Sequence, residues 1–220
     1  MMKRLPFDLL VFDWDGTLMD SEARIVACLR AAGADCGLPE LDRNRLRNVI
    51  GLGLTESVQS LYPDASVDVM QRFIDSYRAH YLGTDKEPTA FFPGVGAMLA
   101  ALHGEGYLMA VATGKSRRGL ERSLDDTDSR NLFHCTRCAD EAFSKPHPRM
   151  LLDIMERLDI DPVRTLMVGD TEYDMLMAKS AGTAALAVSH GVHERERLLS
   201  HAPLACLDDV STLVTWLNQC

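Results

Sequence analysis

Leu9-Leu10-Val11-Phe12-Asp13-Trp14-Asp15-Gly16-Thr17-Leu18 is the stretch from which the rest of the chain is read. Four consecutive apolar residues that stop at an acid predict a short strand buried on both faces, with polar chemistry at its end. In extended backbone, residues i and i+2 face the same side, so Asp13 and Asp15 can approach one ligand while Gly16 permits a sharp turn. Two carboxylates in one buried site are costly unless a cation or hydrogen bonds compensate, which points towards a bound metal. On these residues alone the pair also reads as a polar strand end that caps a turn. A calcium loop fails on spacing: with Asp13 as position one, the required Gly at six is Leu18 and the required Glu at twelve is Arg24. A glycosidase pair fits poorly, because neighbours two apart on one strand do not flank a sugar from opposite sides.

Further along, apolar runs recur at Tyr107 to Ala112, Thr165 to Val168 and Ala184 to Val188, each beside helical patterning. That alternation predicts an α/β fold, a Rossmann-like parallel sheet flanked by helices. Helical stripes supporting it are Val95, Met98, Leu99 and Leu102; Leu151, Leu152, Met155 and Leu158; and Leu213, Val214 and Leu217. The stretch from Leu18 to Pro88 shows helical periodicity without a convincing strand. Ile25, Cys28, Leu29 and Ala32 form one stripe, and Val67, Met70, Ile74, Tyr77 and Tyr81 another. Between them, Leu46, Val49 and Ile50 suggest a short helix, Gly51-Leu52-Gly53-Leu54 a loop, and Thr55 the cap of the next helix. Four helices fit. Since the first strand needs a parallel partner and the next run begins near Tyr107, residues 18–88 are expected as a small α-helical cap domain inserted into a core of residues 1–17 and 89–220.

Three other segments carry candidate chemistry. Leu108 to Ala112 ends in Thr113-Gly114-Lys115, a hydroxyl and a glycine N–H at a strand end where a phosphate can be held. Ser144-Lys145-Pro146-His147-Pro148 puts an ammonium just before an expected proline-initiated helix. Val168-Gly169-Asp170 places an acid at another strand end, with Asp174 one helical turn later. Each has a structural alternative: Thr113 and Asp170 as helix caps, Lys145 as a solvated charge, Asp174 as a first-turn acid. Together they set Asp13, Asp15, Thr113, Lys145, Asp170 and Asp174 at successive strand ends, where open parallel sheets bind ligands.

With these motifs in order, D-x-D-G-T at Asp13, Thr113, Lys145 and G-D-x-x-x-D from Gly169 to Asp174, the chain resembles the haloacid dehalogenase superfamily over nearly its whole length. Within it the chain looks most like phosphoglycolate phosphatases and related small-molecule phosphatases. The resemblance implies a phosphoric monoester hydrolase that forms an aspartyl phosphate on Asp13, with Asp15 as proton donor and then base. It implies Thr113, Gly114 and Lys145 as phosphate ligands. It also implies Mg²⁺ held by Asp13, the Asp15 backbone carbonyl and Asp170, with Asp174 behind them. Asp15 is the acid that the family's dehalogenases lack. No lysine lies between Leu18 and Asp85 to form a Schiff base, as related phosphonate-cleaving proteins do. The helical segment carries arginines instead (Arg24, Arg30, Arg43, Arg45, Arg47, Arg72 and Arg78), suited to a carboxylate or second phosphate, and its Gly51 to Leu54 loop is expected to meet the substrate. Two rivals share parts of the pattern: a sugar-phosphate mutase of the β-phosphoglucomutase type, and a receiver-like phospho-acceptor domain, which lacks the D-x-D-G-T start and the cap.

Composition agrees with a folded catalyst of small molecules. Of 220 residues, 46% are apolar and 25% charged, and the net charge of −9 disfavours nucleic acid and anionic membranes as partners. No run approaches the ~20 apolar residues of a membrane span, so a cytoplasmic protein, monomer or homodimer, acting on a small phosphorylated metabolite is expected. Cysteines at 28, 36, 135, 138, 206 and 220 are too scattered for a disulfide framework, and Cys135-Thr-Arg-Cys138 lacks a second ligand pair for zinc. Gly94-x-Gly96 lacks the third glycine of a dinucleotide fingerprint, and Thr113-Gly114-Lys115-Ser116 lacks the upstream glycine of a P-loop. His147, His190, His193 and Trp14 are assigned to packing.

Overall fold

The computed structural model describes residues 7–84 and 89–219. Six parallel strands form one sheet in the order β5-β4-β1-β6-β7-β8: β1 (Leu9–Phe12), β4 (Leu108–Thr113), β5 (Cys135–Cys138), β6 (Thr165–Gly169), β7 (Ala184–Val188) and β8 (Cys206–Leu207). The strand quoted first lies at the centre, Leu9 opposite Leu108 on one side and Thr165 on the other. Alternation sends its side chains to two separate cores. Leu10 and Phe12 join Met109, Val111, Leu166 and Val168 on one face; Leu9 and Val11 join Ala110, Ala112 and Met167 on the other. Helices α5 (Val95–Gly104), α6 (Arg117–Asp126) and α10 (Leu213–Gln219) cover the first face. The second is covered by α7 (Arg149–Leu158) and α8 (Glu172–Ala181), while the short α9 (Arg195–Leu199) packs beside β7.

The expected four helices are present between Met19 and Thr84: α1 (Glu22–Asp35), α2 (Arg43–Asn48), α3 (Leu54–Leu61) and α4 (Val67–Ala79), the last running into a π-helical turn, His80–Thr84. Ile25, Leu29, Leu46, Val58, Phe73 and Ile74 give them a core of their own. The chain enters and leaves through a two-stranded antiparallel ribbon, β2 (Met19–Asp20) against β3 (Ala90–Phe91). The expected downstream boundary at residue 88 lies outside the described residues, as do Met1 to Pro6 and Cys220. Among the described residues, no helix is long and apolar enough to cross a membrane.

Several local expectations shift. Thr55 does not cap α3; Gly53 does, because its N–H donates to the Ser144 Oγ at 2.7 Å and the core thereby sets where the helix begins. The expected proline-initiated helix after Lys145 is α7, which begins at Arg149 with Pro148 as its N-cap. Val67 is 81% and Leu152 38% exposed, and Phe73 and Ile154 take the buried places in their helices. Cys135 and Cys138 are both buried in β5, but their odd spacing points them to opposite faces of the sheet, so they do not share a ligand.

Candidate active site

Asp13, Thr113 and Asp170 stand at or just past the carboxyl ends of three adjacent strands, β1, β4 and β6. The Asp13 N–H still bonds the Val168 carbonyl at 2.9 Å, so the sheet fixes its backbone while its side chain projects past the strand. All three, with Lys145 and Asp174, are buried. The Lys145 Nζ lies 2.7 Å from an Asp13 oxygen and 2.7 Å from an Asp174 oxygen. Burial alone would push that ammonium down, but the two carboxylates outweigh it and hold the charge. Asp174 is anchored in turn by the Thr171 N–H at 3.1 Å and the Thr171 hydroxyl at 2.7 Å, a capping box that opens α8. Asp170 accepts from the Thr17 hydroxyl at 2.7 Å and the Val192 N–H at 2.8 Å.

Oxygens of Asp13, Asp170 and Asp174 lie within 4.8 Å of one another. Three buried carboxylates against one lysine leave an excess of negative charge. Burial, with Asp174 beside it, pushes Asp170 up to about 7, and burial reinforced by Asp174 and Asp170 drives Asp13 well above the ordinary carboxylate range despite Lys145. The second Asp13 oxygen is buried without a hydrogen-bond partner. An orphaned oxygen in an over-charged cluster of hard ligands is the environment a divalent cation fits. Gly16, at φ +84°, makes the turn beneath it, where any Cβ would collide with the Asp170 carboxylate.

Asp15 lies apart from that cluster. Its carboxylate takes the Ser21 hydroxyl at 2.6 Å and the Lys115 ammonium at 2.7 and 2.8 Å; Lys115 also donates to the Tyr81 hydroxyl at 2.6 Å. Lys115 and Tyr81 were not singled out for the site in the sequence. The signal that existed was a lysine two residues past a strand end, which can be buried only against an acid.

A model of the family "Haloacid dehalogenase-like hydrolase" matches residues 10–188, a span that includes Asp13, Asp15, Thr113, Lys145, Asp170 and Asp174. The chain belongs to this family. It is 37% identical over 210 residues to "Probable phosphatase IndB" of Dickeya dadantii, covering 94% of this chain and 91% of that one. It is also 30% identical over 220 residues to a phosphoglycolate phosphatase of Agrobacterium fabrum, covering 96% and 92%. Among solved structures, a haloacid dehalogenase-like hydrolase from Bacteroides fragilis shares the fold with a TM-score of 0.88 at 24% identity, covering 94% and 99%.

In this hydrolase a cavity of about 190 Å³ opens over Asp13, Asp15 and Thr113 and is roofed by residues 49–57 of the helical segment. The roof is tied down by the Gly53–Ser144 bond, by Tyr173 donating to the Asn48 carbonyl at 2.9 Å, and by Arg47 donating to the Gly191 carbonyl at 2.6 Å. Of the seven arginines expected to recognise an acidic substrate, only Arg78 lines the cavity. Arg43 and Arg47 pair instead with Glu22. His190 and His193 make backbone contacts to Thr17 and Asn48, and His147 accepts from the Arg149 N–H.

Gly114 has a geometric duty beyond its N–H. A Cβ there would overlap the Leu52 carbonyl and lie 2.7 Å from that of Gly51. Backbone on both sides cannot yield cheaply, so Gly114→Ala is expected to lift the 51–53 loop. Phosphatase activity should fall by about 10²-fold, the scale of a 1 Å misplacement, with the melting temperature little changed. Wild-type turnover in this variant would show that the roof need not close on the strand end.

Proposed function

We propose that this hydrolase releases phosphate from small monoesters through an aspartyl phosphate on Asp13, with Mg²⁺ held by the Asp13 and Asp170 carboxylates and the Asp15 carbonyl. The family and its phosphatase relatives make the chain a phosphoric monoester hydrolase. The single observation that carries the finer reading is the Asp13 carboxylate: on a rigid strand end, one oxygen on Lys145 and the other unpartnered, facing a cavity. In-line positioning and charge neutralisation are what phosphoryl transfer needs, and both are supplied by fixed elements. Asp13 attacks phosphorus as the ester oxygen departs; Asp15 gives that oxygen its proton and, as carboxylate, then takes one from the water that cleaves the acyl phosphate. Lys145, Thr113 and the Gly114 N–H neutralise the equatorial oxygens. When bound, Mg²⁺ screens the nucleophile from the phosphate charge and orients the two. Asp174 holds Lys145 in place. The helical segment 18–88 acts as the cap that selects substrate.

Metal dependence tests this reading and carries a pH signature. In the unfolded chain Asp170 ionises near ~3.9, whereas folding raises it to about 7. A raised carboxylate costs stability as the unfolded state deprotonates, so metal-free protein should lose on the order of 3–4 kcal/mol between about pH 4 and 7 through Asp170 alone, with Asp13, also raised, adding to the loss. Mg²⁺ should restore much of it at pH 7.5 and little at pH 4, measured as melting temperature. Phosphate release from a panel of small monoesters should need Mg²⁺ and stop with a chelator. Metal-independent phosphate release, with no Mg²⁺ effect on melting at pH 7.5, would remove the cation from the proposal.

A further inference from the structure

The lining of the cavity beside Asp15 carries information about the leaving group. Its walls are apolar: Ile25 and Leu29 from α1, Leu52 and Leu54 from the roof, and Tyr77 and Tyr81, whose rings stack with centroids 5.7 Å apart. Burial, with Tyr81 and Asp15 nearby, drives the Tyr77 phenol well above its ordinary range, so it stays neutral. Among the described residues, the cations that line the cavity are Arg78 and Lys115. The Arg78 side chain is 52% exposed and faces Asp75 at 3.7 Å on its own helix. An ammonium has three N–H donors, and Lys115 spends all three, on the two Asp15 oxygens and the Tyr81 hydroxyl. Glu56 and Asp140 add negative charge to the same walls. A carboxylate or second phosphate entering here would be desolvated among leucines and tyrosines, with Lys115 held by Asp15 and Tyr81 and the half-exposed Arg78 beside Asp75 as the cations the described lining offers, an unfavourable exchange.

We infer that the leaving group this enzyme accepts is uncharged and apolar, a single aromatic ring or a compact alkyl body, and not one bearing a second anion. The inference rests on the proposal above that phosphate docks at the Asp13 end. Size agrees, since a cavity of roughly 150 Å³ is enough to take up benzene. An aromatic ring also gains from the Tyr77 and Tyr81 faces.

Steady-state kinetics on the full chain with Mg²⁺ decide it, using benzyl phosphate and phosphoglycolate, both esters of primary alcohols. Benzyl phosphate is expected to show kcat/KM about tenfold or more above phosphoglycolate, the scale at which an apolar pocket discriminates. Tyr77→Ala should narrow the ratio of benzyl to methyl phosphate by about tenfold, chiefly through KM for the larger ester. The wild-type comparison stands even if that variant does not fold. Equal or better turnover of phosphoglycolate would overturn the inference and mean that Lys115 leaves Asp15 to meet the carboxylate. If benzyl phosphate, methyl phosphate and phosphoglycolate all fail to release phosphate, the monoesterase proposal itself falls, and this inference with it.

Discussion

Asp13→Asn is expected to lower phosphate release by roughly 10⁴-fold or more while leaving the fold intact. The amide has no anionic oxygen with which to bond phosphorus, and Asp15, two residues on, is engaged by Ser21 and Lys115. The geometry of the strand end survives the change. An Asn oxygen can still accept the Trp14 N–H that now reaches Asp13 at 2.6 Å, and Lys145 keeps Asp174 as a partner. Removing one of three crowded carboxylates also relieves the repulsion that Asp174 and Asp170 exert on Asp13. The melting temperature of metal-free Asp13→Asn should therefore equal or exceed that of the wild type. Phosphate release and thermal denaturation on the same preparation check both halves. Full activity would end the nucleophile assignment; lost activity with a collapsed fold would make Asp13 structural.

What sequence made legible follows from how sheets bury their strands. β1, β4, β6 and β7 are interior strands with both faces covered, so each is a continuous apolar run that a reader can see. β5 and β8 are the sheet's edges, and β2 and β3 a two-residue ribbon; Thr136 and Arg137 in β5 are only half-buried, and no run betrays them. The site was legible for the same reason, since Asp13, Thr113 and Asp170 mark where those runs stop. The Lys115–Tyr81 contact was not, because it joins residues 34 positions apart across the boundary between sheet and helices. A lysine in sequence reads as solvated; only the packed structure reveals that Asp15 and Tyr81 enclose it. Arg24, Arg43 and Arg47 failed in the opposite sense, as cations that looked available but are spent on Glu22 and on backbone carbonyls.

Lys145→Met should have the largest effect on stability. The side chain is fully buried and is the ion-pair partner of both Asp13 and Asp174. Replacing it with an apolar chain of similar length keeps the volume but leaves two carboxylates without their cation. Breaking a buried pair from one side typically costs about 3–5 kcal/mol. At roughly 2–4 °C per kcal/mol for a chain of this size, the melting temperature at pH 7.5 without metal should fall by about 6–20 °C. The loss should shrink towards pH 4, because the orphaned Asp13, already raised by burial, then takes up a proton and its burial penalty disappears. Mg²⁺ should recover part of the stability, since a cation in the same cluster restores charge balance. Activity should stay down by about 10²–10³-fold even with Mg²⁺, because the phosphoryl oxygens lose a donor that the metal does not replace. A variant as stable as the wild type across this pH range would show that Lys145 does not hold the cluster together.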